Sequence, residues 1–207
     1  MSGDVDRERI VAARMRHKER FEVRMAATPS VSDPRPRGTG ELNRHGMPCV
    51  PVGQKETRKW PVLDLGTHPE VPLSRWSLVL DGACARPVTL DWQAFSELEQ
   101  VTDTSDFHCV TTWSRLDLRW VGVRFVDLAA LVELDSGASH VMCHAHDGYT
   151  TNLSLEEALK PDVLLVHRVD EQPLSREHGG PVRMITPQLY AWKGAKWISR
   201  IEFMTEN

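Results

Sequence analysis

The chain has 207 residues, of which 41% are hydrophobic and 26% charged, with a net charge of -4 at pH 7. That length suffices for one domain with a core of its own, and the composition is that of an ordinary globular protein. The weakly acidic balance gives no sign of a nucleic-acid binder, although net charge says nothing about local patches.

The N-terminal stretch, residues 1–27, is dense in charges of both signs, among them Arg7, Glu8, Arg9, Arg14, Arg16, Lys18, Glu19 and Arg20. No apolar export segment accompanies them, and no stretch is long enough to span a bilayer, so the expected location is the cytoplasm. Four widely spaced cysteines (Cys49, Cys84, Cys109, Cys143) fit a reducing compartment. Residues 6–27 lack Pro and Gly and have a ragged apolar face, which predicts a loosely attached charged helix; a docking arm for a partner is the alternative. Residues 28–54 are rich in helix and strand breakers, from Pro29 and Pro34 to Pro51 and Gly53. They read as a linker or an extended segment wrapping a domain. The globular domain is taken as 55–207, with its packed part beginning near Trp60.

From there strands and short helices mix. Residues 76–82 read as a strand ended by a turn, 91–99 as a short helix, and 125–134 as an apolar helical stretch. Residues 140–146 read as a strand. Ser154 with Glu157 three residues later forms a capping box that opens a helix stopped by Pro161. Residues 162–168, 182–186 and 197–203 read as strands. There is no regular βαβ period, which argues for an α+β fold. No Gly-rich phosphate loop or internal repeat is present.

Two segments carry chemistry. The first is Phe107-His108-Cys109-Val110-Thr111-Thr112-Trp113-Ser114. Its cysteine has no Cys-x-x-Cys partner, so it is neither a zinc knuckle nor a dithiol motif. A soft thiolate suits a transition metal. The second is His178-Gly179-Gly180-Pro181-Val182-Arg183, followed by Trp192-Lys193-Gly194-Ala195-Lys196-Trp197. Small residues let backbone N–H groups approach a ligand, and Arg and Lys add charge-assisted bonds to a phosphate. A surface turn with solvated lysines is the bland alternative, favoured for Lys193 alone.

Together with Lys59-Trp60-Pro61-Val62-Leu63 upstream, these segments resemble, in order and spacing, the oxidoreductase molybdopterin-binding domain of the sulfite-oxidase superfamily. The resemblance covers about residues 50–205. It is nearest to the small stand-alone members and then to the catalytic subunit of the molybdenum methionine-sulfoxide reductase. It implies a mixed-sheet sulfite-oxidase-type molybdopterin-binding fold and a molybdenum-molybdopterin cofactor (Mo-MPT). It further implies that Cys109 is the metal's thiolate ligand. His178 and Arg183 match positions that bind the pterin and its phosphate, and Gly194, Ala195 and Lys196 match the phosphate cradle. Leu63, Asp64 and His144 fall near further cofactor-contacting positions.

The departures bear on substrate. Sulfite oxidases carry arginines directly after the cysteine loop, whereas Trp113 and Ser114 stand here, with Arg115 next. A neutral aromatic rim, with Trp113 at the mouth, favours an uncharged substrate, since burying an unpaired anion is costly. Where the family often has a tyrosine facing the metal, this chain has His167, a candidate proton donor. His108 is expected to orient the cofactor or substrate. The expected activity is therefore oxo transfer leaning to reduction of an uncharged S-oxide or N-oxide. Sulfite oxidation is the alternative, and a non-catalytic cofactor module or a zinc protein built on His108 beside Cys109, with Cys143, His144 and His146 as further candidates, comes second. The sequence carries no haem, flavin or nicotinamide motif, so electrons are expected from a separate protein or small carrier.

Overall fold

The computed structural model describes residues 41–64, 66 and 68–206. The helix expected over residues 6–27 lies outside these. Two sheets make the body. The first joins β1 (Lys55–Glu56), β4 (Val101–Cys109), β5 (Trp113–Arg124), β8 (Leu164–Val169), β9 (Gln172–Pro173) and β10 (Arg183–Ile185). The second has the order β3-β2-β11-β6-β7, from β2 (Ser77–Gly82), β3 (Val88–Asp91), β6 (His140–Ala145), β7 (Thr150–Ser154) and β11 (Ile198–Met204). Parallel pairing (β2 with β11, β1 with β5) sits among antiparallel pairs, which makes both sheets mixed, as the α+β reading requires.

The helices are short, and their starts follow capping chemistry. Asp91 accepts from the Ala94 N–H at 2.8 Å to open α1 (Trp92–Glu97). Ser154 accepts from the Glu157 N–H at 3.3 Å to open α3 (Leu155–Ala158). Between them lies α2 (Phe125–Ala130), shorter than the apolar stretch that predicts it, because Leu131 already bonds back to the last turn.

The strand β8 explains how the two halves share a core. Its residues Leu164, Leu165 and Val166 are all fully buried. Alternate side chains point to opposite faces. Leu165 joins the main core with Leu78, Leu80, Phe125, Val141, Ile201 and Phe203. Leu164 and Val166 join a smaller cluster with Phe107, Leu118, Trp120 and Ile185. A strand buried on both faces reads as a continuous apolar run, and each such side chain contributes roughly 1.5–3 kcal/mol. The smaller cluster supports the functional site, because Trp60 and Trp113 pack on it.

Residues 41–54 belong to the folded body. Met47 is 1% exposed. Arg44 bonds Asp103, and His45 pairs with Asp162 at 2.5 Å. Packing therefore starts ahead of Trp60, and residues 41–54 follow the second reading of the breaker-rich stretch, an extended segment against the domain, over that of a linker. Among the described residues no helix is long and apolar enough to cross a membrane.

Candidate active site

The β4–β5 hairpin ends in the turn that bears the thiol. Cys109 is the last residue of β4 and pairs with Trp113. The Thr112 N–H donates to the Cys109 carbonyl at 3.1 Å, closing the turn. Thr112 takes the left-handed conformation, φ 77°. Phe107 and Cys109 share a strand face, and both line a cavity of about 350 Å³. Cys109 Sγ lies 3.0 Å from Thr111 Oγ1.

The opposite wall comes from the second expected segment. The His178 ring stacks on Trp60 with centroids 4.0 Å apart and planes 18° off parallel. Its Nε2 lies 2.9 Å from the Trp60 carbonyl and therefore carries the proton; Nδ1 then accepts from Ser175 Oγ at 2.8 Å. Burial pushes the imidazole pKa down, against the raising effects of that carbonyl and Glu177, so the ring is neutral near pH 7. Gly179 has φ 106°, and a Cβ there would stand 2.9 Å from the Lys196 side chain and 3.1 Å from that of Arg183. A Cβ on Gly194 would come 2.4 Å from the Met184 carbonyl oxygen. Both glycines are required by close approach: Gly179 lets the Lys196 and Arg183 side chains pack beside the turn, and Gly194 lets its loop lie on the β10 backbone.

Arg183 is the informative charge. It leaves the turn on β10, is 4% exposed, and lines the cavity. NH1 donates to the His178 carbonyl at 3.0 Å, and NH2 reaches the Gly194 carbonyl at 3.5 Å. Its Nε is buried without a partner. The guanidinium carbon stands 5.0 Å from the Phe107 ring centroid. Among the described residues no carboxylate pairs with it. Burial pulls its pKa down to about 10, opposed by the nearby Cys109 sulfur. A buried cation without a counter-charge is costly, and an anionic ligand in the cavity relieves it.

The other expected residues divide. Leu63, Asp64, Trp113 and Lys196 line the cavity. Burial raises the Asp64 pKa, but bonds from His68 and the Gly66 N–H, with the Lys196 charge, leave it below the ordinary carboxylate value. Ala195 is fully buried behind the wall, its carbonyl accepting from the Met184 N–H at 2.9 Å. Lys193 turns away and bonds Asn152 at 2.8 and 2.9 Å.

Three expected histidines are not in the cavity. His108 follows Phe107 on β4, so it faces the other side; it is 1% exposed, bonds Ser114 Oγ at 2.9 Å, and burial lowers its pKa. His167 packs edge-on against Trp92 and Phe95 and pairs with Gln100 Oε1 at 3.1 Å, its pKa lowered by burial. His144 lies on β6 in the other sheet and pairs with Glu202 at 2.9 Å. Its neighbour Cys143 is fully buried on the opposite face against Met184. Strand alternation thus separates the residues of the zinc alternative, and the described residues contain no cluster of three metal-ligating side chains.

The structure adds wall residues that the sequence reading missed: Asp147, Tyr149, Thr150 and Trp192. Asp147-Gly148 between two alternating apolar runs is a hairpin signature, and it would have placed 147–150 at a sheet end.

A thiol, a buried guanidinium without a carboxylate partner and an imidazole line an aromatic cavity that can take an anionic ligand. Residues 65–207 match the oxidoreductase molybdopterin binding domain, and the chain belongs to that family. It is a molybdopterin-dependent oxidoreductase. An uncharacterized oxidoreductase of Bacillus subtilis (strain 168), YuiH, is 39% identical over 159 residues, spanning 76% of this chain and 80% of that protein. The sulfane dehydrogenase SoxCD from Paracoccus pantotrophus shares the fold, with a TM-score of 0.63 at 17% identity over 68% of this chain. This chain spans only 41% of that one. The residues present fit the cofactor: Arg183 offers an unpartnered buried Nε for an anionic group, and Gly179 and Gly194 allow the close packing that holds Arg183 and Lys196 at the cavity.

Proposed function

We propose that the protein reduces a small uncharged S-oxide or N-oxide, drawing electrons from a separate protein or small carrier in the cytoplasm. Cys109 would ligate the metal; Arg183, Lys196, His178 and the Gly194–Ala195 backbone would hold the pterin and its phosphate, with Leu63 and Asp64 at the rim. The bound cofactor supplies two-electron chemistry and oxygen-atom transfer. The protein's part is to bind, orient and exclude water. Phe107, Trp113, Trp192 and Trp197 give the cavity apolar walls that suit a neutral substrate.

One observation carries the substrate class. Arg115, the arginine nearest the cysteine turn, does not line the cavity. Its NH2 is held by Asp170 at 2.6 Å and its guanidinium carbon stands 5.4 Å from the Trp60 ring centroid. A dianion would have to break that pair, while Asp64 and Asp147 in the wall disfavour it further. Since His108 and His167 lie outside the cavity, neither is given a proton-transfer role.

The test is a substrate screen on molybdenum-loaded protein. Neutral sulfoxides and N-oxides should reoxidise the reduced enzyme quickly, and sulfite should reduce the oxidised enzyme slowly. Efficient sulfite oxidation with no S-oxide or N-oxide turnover would reverse the assignment.

A further inference from the structure

Gln54 lies ahead of the residues that match the family, 65–207, in the segment whose composition suggests a linker. Its side chain nevertheless sits against the thiol-bearing turn. Gln54 Nε2 donates to the Cys109 carbonyl at 2.8 Å. Gln54 Oε1 accepts from Ser114 Oγ at 2.7 Å. Ser114 is fully buried and its Oγ stands 2.9 Å from His108 Nδ1.

The direction of this chain follows from donor counting. A serine hydroxyl has one hydrogen, and here it goes to the Gln54 carbonyl oxygen. Ser114 Oγ must therefore accept from His108, which fixes the imidazole as the Nδ1–H tautomer. His108 donates to Ser114, Ser114 to Gln54, and Gln54 to the carbonyl of Cys109. The Cys109 carbonyl can only accept, so the Gln54 amide turns Nε2 toward it and Oε1 toward Ser114, and the rest of the chain follows from that end; Tyr190 also hydrogen-bonds the Gln54 side chain.

The far end of the chain is equally constrained. The Cys109 carbonyl accepts from both Gln54 and the Thr112 N–H, which uses both of its lone pairs. The Lys55 N–H donates to the Thr112 carbonyl at 3.0 Å and the Thr57 N–H to the Ser114 carbonyl at 2.8 Å. The peptide plane after Cys109 is thus clamped from the side opposite the cavity.

We propose that Gln54 is a positioning residue for Cys109: the buried His108–Ser114–Gln54 chain fixes the Cys109 peptide and so the direction in which Sγ enters the cavity. This rests on the reading of Cys109 as the metal's thiolate. Such outer partners orient a ligand and tune the metal, and their loss commonly costs 10–100-fold. A glutamine from outside the matched region thereby becomes part of the site, and the segment before β1 becomes a functional strap.

The experiment uses molybdenum-loaded full-length protein, with every reading divided by bound molybdenum. Gln54→Ala and Gln54→Glu are compared with wild type by the thiolate-to-metal charge-transfer absorption, the paramagnetic spectrum of the one-electron-reduced metal, and kcat and KM with an S-oxide. The glutamate keeps shape and acceptor but donates nothing to the carbonyl. Both variants should shift the absorption and the paramagnetic spectrum and lower kcat about tenfold, with KM within about twofold. Wild-type spectra and kcat in both would overturn the proposal. If neither variant takes up metal, Ser114→Ala decides, because it leaves Gln54 in place but removes the donor to its Oε1 and breaks the link to His108: displaced spectra support the clamp and unmoved spectra refute it. Failure of the ligand reading itself is distinguishable, since Cys109→Ser would then leave the charge-transfer band intact.

Discussion

Arg183→Met separates the stability of the protein from its hold on the cofactor. The guanidinium is 4% exposed and unpaired by any described carboxylate. Burial pulls its pKa well below the ordinary arginine range, to about 10, so the folded state penalises the charged form by an amount on the order of a few kcal/mol. The sign follows from linkage. A base whose folded pKa is lowered costs stability fully below the folded pKa, and the cost fades only as pH rises from about 10 toward the unfolded value. At pH 7 the whole cost is present. Methionine fills a similar volume without charge, but it removes bonds to the His178 and Gly194 carbonyls, each contributing about 1 kcal/mol. Lifting the cost of the buried charge and leaving two carbonyls without a donor nearly offset, so the cofactor-free variant should melt within a few degrees of wild type. The cofactor loses a charge-assisted bond of about 1.5–3 kcal/mol, a factor of roughly 10–100 in affinity. Calorimetry of the cofactor-free protein and molybdenum content after purification read the two effects separately. A variant that melts several degrees lower and still loads fully would refute the reasoning.

Other outcomes follow from single contacts. Cys109→Ser should retain pterin but lose turnover by at least about a hundredfold, read by pterin fluorescence and steady-state kinetics. Gly194→Ala forces a Cβ to 2.4 Å from the Met184 carbonyl; it should cost about 1–3 kcal/mol and reduce cofactor loading, seen in denaturant unfolding and metal analysis. His167→Gln should keep kcat within about twofold, because the ring lies behind α1. The His167 pKa is lowered by burial, so the native state resists protonation there. Stability is then lost as pH falls below the ordinary histidine value of about 6.5, and the glutamine variant should show a shallower acid limb in unfolding curves below that pH.

Much of the frame is legible in the sequence because the local signals agree with the final packing. The strands at 77–82, 140–145, 164–169 and 198–204 and the caps at Asp91 and Ser154 carry their own patterning. The β4–β5 hairpin does not. Its first strand runs Val101-Thr102-Asp103-Thr104-Ser105-Asp106, mostly polar because one face meets solvent, and its turn has no Gly or Asn. Thr112 takes the left-handed position instead, so the usual punctuation is missing. The histidines that lie away from the cavity do so for different reasons. Adjacent strand residues point to opposite faces; once Cys109 faces the cavity, His108 is turned away. His144 belongs to a sheet whose relation to the site only tertiary packing sets. Gln54 was hidden by its proline- and glycine-rich surroundings, since nothing local marks a side chain whose partners lie 55 and 60 residues away.

The central claim is that Cys109 delivers its sulfur to the molybdenum of the bound cofactor. X-ray absorption at the molybdenum edge, on wild type and Cys109→Ser loaded to the same metal content, tests it directly. The account predicts a sulfur shell that loses one scatterer in the variant while the pterin sulfurs remain. An identical sulfur shell in the two proteins would contradict it and remove Cys109 from the metal.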